Sequence, residues 1–102
     1  METSNIIKFS DIELNVSENT VWGLEKSIIL PLKEYQLLEL LVYNPEQVLS
    51  KERIIEKIWG GDSDAEYNNV EVYISYLRKK LIRIGSKLSI RTIRGVGYVL
   101  EQ

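Results

Sequence analysis

The part of the chain that most restricts its fold is a helical pattern between residues 70 and 81. Apolar residues recur there at the spacing of one helix face, at Val70, Ile74, Leu77 and Leu81. Such a stripe predicts a helix that is buried along one side. The opposite side is then free to contact something outside the domain.

A β-hairpin is predicted directly after this helix. The strand-like runs Ile90–Arg94 and Tyr98–Leu100 flank Gly95, Val96 and Gly97, where glycine allows backbone angles that other residues resist. Arg94 is then expected at the tip of the hairpin. A helix with one free side, next to a hairpin that carries an arginine, is typical of a protein that binds duplex DNA.

The basic residues lie mainly in the C-terminal third of the chain. Residues 1–67 hold six Lys or Arg and thirteen Asp or Glu, whereas residues 68–102 hold seven and two. The net charge of −2 is therefore the sum of an acidic part, residues 1–67, and a basic part, residues 68–102. This asymmetry predicts one basic face that would orient an otherwise acidic body on a polyanion. A chance cluster of charges on a solvated helix is the alternative.

Composition excludes several classes of site. The 102 residues include no cysteine and no histidine, so thiol chemistry and the commonest general base and metal ligand are absent. The apolar runs are far shorter than the roughly 18 residues of a membrane span, and Met1–Ile7 lacks the apolar core of a signal peptide. We therefore expect a cytoplasmic protein with no cofactor, no metal and no membrane partner. Its paired carboxylates lack a nucleophile or phosphate cradle beside them, so we expect no enzyme.

The order of the predicted elements indicates the fold class. Strand-like runs predict an antiparallel sheet at about residues 5–30, and they are Ile6–Phe9, Ile12–Asn15, Thr20–Trp22 and Ile28–Leu30. Three helices are expected in a core at about residues 32–84, with Ser50 as the N-cap of the second helix, Lys51–Trp59, and the hairpin occupies about 88–101. We expect one domain over residues 1–102, of class α+β. It is a winged helix-turn-helix with an N-terminal antiparallel sheet, three helices and a C-terminal β-hairpin wing.

Three segments carry a resemblance to a known family. They are KEYQLLELLVYNPEQVLSKERIIEKIWG (33–60), NNVEVYISYLRKKL (68–81) and IRTIRGVGYVL (90–100). In this order and at this separation, they resemble the winged-helix DNA-binding effector domain of OmpR/PhoB-type bacterial response regulators, over nearly the whole chain. The resemblance implies that the third helix enters the major groove and that the wing arginine reaches the adjacent minor groove. It also implies that tandem copies bind direct-repeat half-sites.

The resemblance also implies which residues contact DNA. On the third helix they are Asn68, Asn69, Val72, Tyr73, Ser75, Tyr76 and Arg78, and the basic run adds Lys79 and Lys80 as phosphate contacts. In the wing they are Thr92 and Arg94. Trp59, at the end of the second helix, can offer its indole N–H to a phosphate. Aromatic residues beside an apolar stripe can instead belong to the core, and a basic helix end can simply be solvated.

Departures from the family concern specificity. Family members often have arginine on the third helix where this chain has Asn68, Ser75 and Tyr76. Arginine pairs with guanine, whereas asparagine suits adenine, and tyrosine or valine can pack on thymine methyl groups. We therefore expect an A/T-leaning site and weak binding by one copy. Pro31-Leu32 replaces the common Thr-Pro before the first helix, so the usual hydroxyl cap is expected to be missing.

Further partners are implied by the same resemblance. The acidic loop with Asp62, Asp64 and Glu66 corresponds to a segment that touches RNA polymerase in some members, although by default it is a solvated turn. In the family a receiver domain of about 120 residues, which a sensor histidine kinase phosphorylates, precedes the effector domain; 102 residues cannot hold both. The isolated domain is expected to be a monomer that forms a dimer on double-stranded DNA.

A different class of function stays open at this point. Fold does not determine function, and a winged helix can also serve as a protein-interaction module, for example one that binds polymerase or a regulator. The acidic N-terminal part would suit that role. Such a module would have little intrinsic affinity for DNA.

Overall fold

The computed structural model describes residues 5–60 and 67–102, apart from the side chains of Tyr67 and Asn68. Within these residues the elements are β1 (Ile6–Phe9), β2 (Ile12–Asn15), β3 (Thr20–Trp22), β4 (Ser27–Ile29), α1 (Leu32–Tyr43), β5 (Leu49–Ser50), α2 (Lys51–Trp59), α3 (Tyr67–Arg83), β6 (Ser89–Ile93) and β7 (Gly97–Glu101). Strands β1–β4 form one sheet, and β5, β7 and β6 form another. The predicted α+β winged-helix fold is confirmed.

The N-terminal sheet has one face in the core and one in solvent. Its strands are antiparallel in the order β1-β2-β3-β4, and Leu14 pairs with Ile7 on one side and with Val21 on the other. Leu14 and Val21 are buried together with residues of the helices. Trp22, the next residue along β3, is 53% exposed, because successive side chains of a strand point to opposite faces.

Helix α3 is anchored along one side. It packs against α1, α2 and β6. The predicted stripe is confirmed, since Val70, Ile74, Leu77 and Leu81 are all buried. Each fully buried apolar side chain of this size contributes roughly 1.5–3 kcal/mol, so the stripe holds α3 firmly in the core. The other side of the helix faces solvent.

The helix ends follow the capping residues. The backbone N–H of Arg53 donates to Ser50 Oγ at 3.1 Å, so Ser50 is the N-cap of α2 as predicted. Gly60 ends α2 with a φ of 86°, an angle that favours glycine. Helix α1 begins after Pro31 without a side-chain cap, which confirms the expected loss of the hydroxyl cap.

The sequence did not predict β5, which has only two residues. Leu49 pairs with Tyr98, and Ser50 pairs with Gly97, so β7 lies between β5 and β6. A Cβ atom at Gly97 would collide with the carbonyl of Leu49. The predicted reason for this glycine was therefore wrong: Gly97 is required by the close approach of β5 and not by a turn angle. Gly95 has a φ of 78°, as the predicted turn demands.

The hairpin places Arg94 in its turn. Strand β6 ends at Ile93, one residue earlier than predicted, and residues 94–96 form the turn. The backbone N–H of Val96 donates to the Ile93 carbonyl at 2.9 Å and closes it. Arg94 is exposed there, so its expected position at the tip of the hairpin is confirmed.

Candidate nucleic-acid interface

The solvent side of α3 carries a mixed apolar and polar surface. Val72 and Tyr76 are 44% and 45% exposed, although both are large apolar side chains. Asn69 and Lys79 are also exposed, and Ser75 is half-buried. The side chain of Asn68 lies outside the described residues. Exposed apolar groups beside amide and ammonium groups are suited to the edges of bases and to phosphates.

Three aromatic rings support this surface. Trp59 of α2 stacks on Tyr73 with ring centroids 5.4 Å apart, and Tyr73 meets Tyr76 edge-on at 6.3 Å. Such pairs add about 0.5–1.5 kcal/mol each beyond the area that they bury. Trp59 and Tyr73 are half-buried and pack against the core. They therefore fix the exposed ring of Tyr76 in place, whether or not they contact DNA themselves.

Lys80 is held by the first helix. Its Nζ donates to Glu34 Oε1 at 2.7 Å, and only 3% of Glu34 is exposed. The same ammonium lies 5.9 Å from the centroid of the Tyr76 ring. The sequence placed Lys80 beside Lys79 as a phosphate contact. A phosphate contact by Lys80 stays a prediction, and it would compete with this ion pair.

Arg78 connects α3 to the wing. Its Nε donates to the Ile90 carbonyl at 2.9 Å, and its Nη2 donates to Thr92 Oγ1 at 2.8 Å. Two hydrogen bonds from one guanidinium to positions of β6 that are two residues apart set the distance between the helix and the wing strand. The structure therefore brings together Arg78 and Thr92, which the resemblance had implied as separate DNA contacts.

A cleft of about 340 Å³ lies between the Glu71–Arg78 part of α3 and the wing, and we call it the wing cleft. The residues along it include Lys51, Glu71, Arg78, Thr92, Arg94 and Tyr98. Three of these six side chains are cations and one is a carboxylate. The cleft is thus a basic recess between the two elements that the resemblance assigns to the DNA grooves.

Lys51 and Glu71 form an ion pair across this cleft. Lys51 Nζ lies 3.2 Å from Glu71 Oε2, and their hydrogen bond is the main cause that raises the pKa of Lys51 above its usual value. Burial raises the pKa of the Tyr98 hydroxyl next to them. Sequence reasoning missed all three residues. The only local signal was the position of Lys51 directly after the Ser50 cap, next to the strand β5 that the sequence did not predict.

The second exposed arginine of the wing is paired within the hairpin. Arg91 Nη2 of β6 lies 2.8 Å from Glu101 Oε2 of β7. The hydrogen bond from Arg91 is the main cause that lowers the pKa of the Glu101 carboxyl below its usual value. Arg94 lies three residues further on in the turn, so the two wing arginines have different environments.

Other kinds of site find no support in the described residues. Residues 5–60 and 67–102 contain no group of three or more acidic, histidine or cysteine side chains that could hold a metal ion. No helix in this part of the chain is long and apolar enough to cross a membrane. The acidic positions Asp62, Asp64 and Glu66, for which a polymerase contact was predicted, lie outside the described residues.

Comparisons with known proteins identify a matching family model and similar curated proteins. The family model "Transcriptional regulatory protein, C terminal" matches residues 25–100. The heme response regulator HssR of Staphylococcus saprophyticus is 41% identical over 98 residues, which are 96% of this chain and 44% of HssR. The chain thus spans less than half the length of the curated relatives that it matches.

Two solved structures extend the likeness. The C-terminal domain of the nisin resistance regulator NsrR, a lantibiotic response regulator, has a TM-score of 0.79 and 38% identity, over 93% of this chain and 96% of that one. The DNA-binding domain of the response regulator AdeR, solved in complex with an intercistronic region, has a TM-score of 0.81 and 27% identity, over 94% and 99%.

The matched family is one of transcriptional regulatory domains, which is not a class of enzymes. The matched family model covers most of the chain, including α1, α2, α3 and the wing. The chain belongs to the family of C-terminal, DNA-binding domains of OmpR/PhoB-type response regulators.

Proposed function

We propose that this domain binds double-stranded DNA in a sequence-specific manner, with α3 in the major groove and Arg94 in the adjacent minor groove. One observation carries the proposal. Glu71 and Arg78 of α3 and the turn that holds Arg94 border one basic cleft, and the exposed residues of α3 lie further round the same helix. When α3 enters the major groove of a duplex, Arg94 then meets the adjacent minor groove of the same duplex.

The exposed residues of α3 support an A/T-leaning preference. Asn69 carries an amide that can pair with adenine, and Val72 and Tyr76 can pack on thymine methyl groups. The narrow minor groove of A/T-rich DNA has a strong negative potential, which attracts an inserted arginine such as Arg94. Both elements therefore favour the same class of sequence.

Phosphate contacts complete the proposed interface. Lys79 is exposed beside the reading surface, and the half-buried Trp59 can donate its indole N–H at the end of α2. Arg78 and Thr92, which bond to each other, border the cleft where a phosphate would lie. These contacts carry no sequence information, but they fix the register of the helix on the duplex.

The full regulator supplies the remaining steps of the proposal. Because the relatives are more than twice as long as the matched part, we propose that a receiver domain, phosphorylated by a sensor histidine kinase, pairs two copies on direct-repeat half-sites. Contact with RNA polymerase through the acidic loop belongs to the same proposal. Pairing matters because one copy with few arginines on α3 binds weakly.

Selection of bound duplexes from a random library tests the proposal. We expect enrichment of an A/T-leaning motif, repeated in direct orientation when two copies are linked. Affinity for the selected duplex should fall steeply with salt, by a factor of about 10³ or more between 50 and 200 mM for six phosphate contacts.

A scrambled duplex of the same composition is the control. It should bind at least about 10³-fold more weakly at physiological salt if the interface reads bases. Absence of any motif for both the single and the linked domain, together with weak binding at low salt, would contradict the proposal. That result would favour the protein-interaction module.

A further inference from the structure

Lys51 is a cation of the wing cleft to which the resemblance gave no role. Its Nζ donates to Glu71 of α3 at 3.2 Å, and its backbone N–H donates to the carbonyl of Val96 in the wing turn at 3.2 Å. Lys51 is also the first residue of α2. It is therefore fixed to the wing by its backbone and to α3 by its side chain.

The ion pair between Lys51 and Glu71 is open to water. The side chain of Glu71 is 56% exposed, and that of Lys51 is 27% exposed. Pairs of this kind contribute little to stability because water and salt screen them. The ammonium can therefore exchange its carboxylate for another anion at small cost, and it has three N–H groups with which to do so.

A DNA phosphate is the anion that the wing cleft would meet. Arg78 and Arg94 border the same cleft as Lys51, so three cations line a volume of about 340 Å³. Glu71 is the carboxylate among them, and it repels a phosphate that approaches the cleft. If the Lys51 ammonium moves from Glu71 to the phosphate, its attraction for the phosphate offsets part of this repulsion.

We propose that Lys51 is a further phosphate-binding residue of the DNA interface and that Glu71 is its counterion, which the DNA backbone displaces. This inference rests on the proposed function, because it requires α3 and the wing to face the duplex. It adds a contact from the first residue of α2 to those proposed for Trp59, α3 and the wing. It also assigns to Glu71 the role of limiting affinity for any duplex.

The test compares Lys51→Met with Lys57→Met on the selected and the scrambled duplex over a range of salt. Lys57 is the matched control, since it lies exposed on the same helix but borders a different groove with Glu39 and Tyr43. We expect Lys51→Met to weaken binding roughly fivefold on both duplexes. The slope of log affinity against log salt should fall by about 0.9, the value for one lost phosphate contact.

A charge-conserving variant and thermal unfolding distinguish the loss of a phosphate contact from a loss of folded structure. Lys51→Arg keeps a cation in the cleft and should keep the slope of the wild type. Thermal unfolding should show that Lys51→Met and Lys57→Met are folded at the temperature of the measurement. If Lys51→Met matches Lys57→Met in affinity and in slope, the assignment of Lys51 is overturned.

A double-mutant cycle tests the role of Glu71. Glu71→Gln should strengthen binding to both duplexes, and the gain should shrink when Lys51 is already methionine, because no ammonium is left to release. An undiminished gain would overturn the counterion role and leave Glu71 as a simple repulsive charge. Absence of duplex binding by the wild type would overturn the proposed function and this inference together, whereas binding without a Lys51 effect overturns only the latter.

Discussion

Lys80 on α3 donates to the buried carboxylate of Glu34 on α1, with Nζ and Oε1 2.7 Å apart. Its neighbour Lys79 is exposed on the solvent side of the same helix. Two adjacent lysines with the same charge therefore have different surroundings. One fixes α3 to α1, and the other is available to a phosphate.

Substitution of each lysine separates these roles. Lys80→Met should lower the free energy of unfolding by about 2 kcal/mol, because it leaves the buried Glu34 carboxylate without its cation while Lys80 itself is partly open to water. Lys79→Met should change stability by less than about 0.5 kcal/mol but weaken DNA binding and lower its salt slope by about 0.9. Urea denaturation and a salt titration measure the two effects. Equal loss of stability in both variants would contradict this division.

Arg78 should act on DNA binding partly through the wing. Arg78→Lys cannot reproduce both hydrogen bonds to β6, so the orientation of the turn that carries Arg94 becomes less fixed. In a double-mutant cycle with Arg94→Ala, we expect the loss of binding free energy in the double variant to be smaller than the sum of the two single losses by at least about 0.5 kcal/mol. The affinities of the four proteins for the selected duplex give this coupling. Additive losses would show that Arg78 acts independently of the wing.

The glycines of the wing should differ in their sensitivity to substitution. Gly97→Ala should lower the free energy of unfolding by about 1–3 kcal/mol or more, because the added Cβ meets the backbone carbonyl of Leu49 and separates β5 from β7. At Gly95 a Cβ meets nothing within 4 Å, so Gly95→Ala costs only the strain of its positive φ, about 1–2 kcal/mol. Urea denaturation measures both losses. A milder effect at Gly97 than at Gly95 would contradict the close approach.

Tyr35 should make stability depend on alkaline pH. Its hydroxyl is buried, has no hydrogen-bond partner among the described residues, and has a pKa raised to about 12, mainly by burial. The unfolded state ionises this hydroxyl near pH 10, whereas the folded state keeps it protonated until about pH 12. The free energy of unfolding therefore does not depend on this ionisation below pH 10 and falls as the pH rises from 10 towards 12. Tyr35→Phe should remove this loss and stabilise the fold by about 1 kcal/mol at neutral pH.

Denaturation of both proteins between pH 7 and pH 11 checks the Tyr35 prediction. The difference in stability between Tyr35→Phe and the wild type should grow above pH 10. A constant difference would mean that the Tyr35 hydroxyl is not held against ionisation. Tyr43→Phe is a suitable control, since Tyr43 is a tyrosine of the same helix that is 64% exposed.

Local patterns in the sequence were sufficient for most of the fold. The stripe that includes Val70 and Ile74 gave α3 and its buried side, and Ser50 gave the start of α2. Turn chemistry at Gly95 gave the hairpin and the position of Arg94. Each of these features depends on residues within a few positions of one another, so a single sequence contains the information.

Contacts between distant segments could not be predicted in this way. Glu34 and Lys80 are 46 positions apart, and Lys51 and Glu71 are 20 apart. A two-residue strand such as Leu49–Ser50 is too short to show an alternating pattern, although it explains why residue 97 must be glycine. The basic run of α3 was read as one exposed surface, and only the folded chain separates Lys79 from Lys80.

The affinity of Arg94→Ala for the selected duplex at fixed salt tests the central claim most directly. Arg91→Ala is the matched control, because Arg91 lies in the same hairpin and carries the same charge but pairs with Glu101. We predict that Arg94→Ala weakens binding by about 1–3 kcal/mol and reduces the preference for A/T pairs beside the major-groove site, whereas Arg91→Ala has a smaller effect. An unchanged dissociation constant for Arg94→Ala would contradict the placement of the wing arginine in the minor groove.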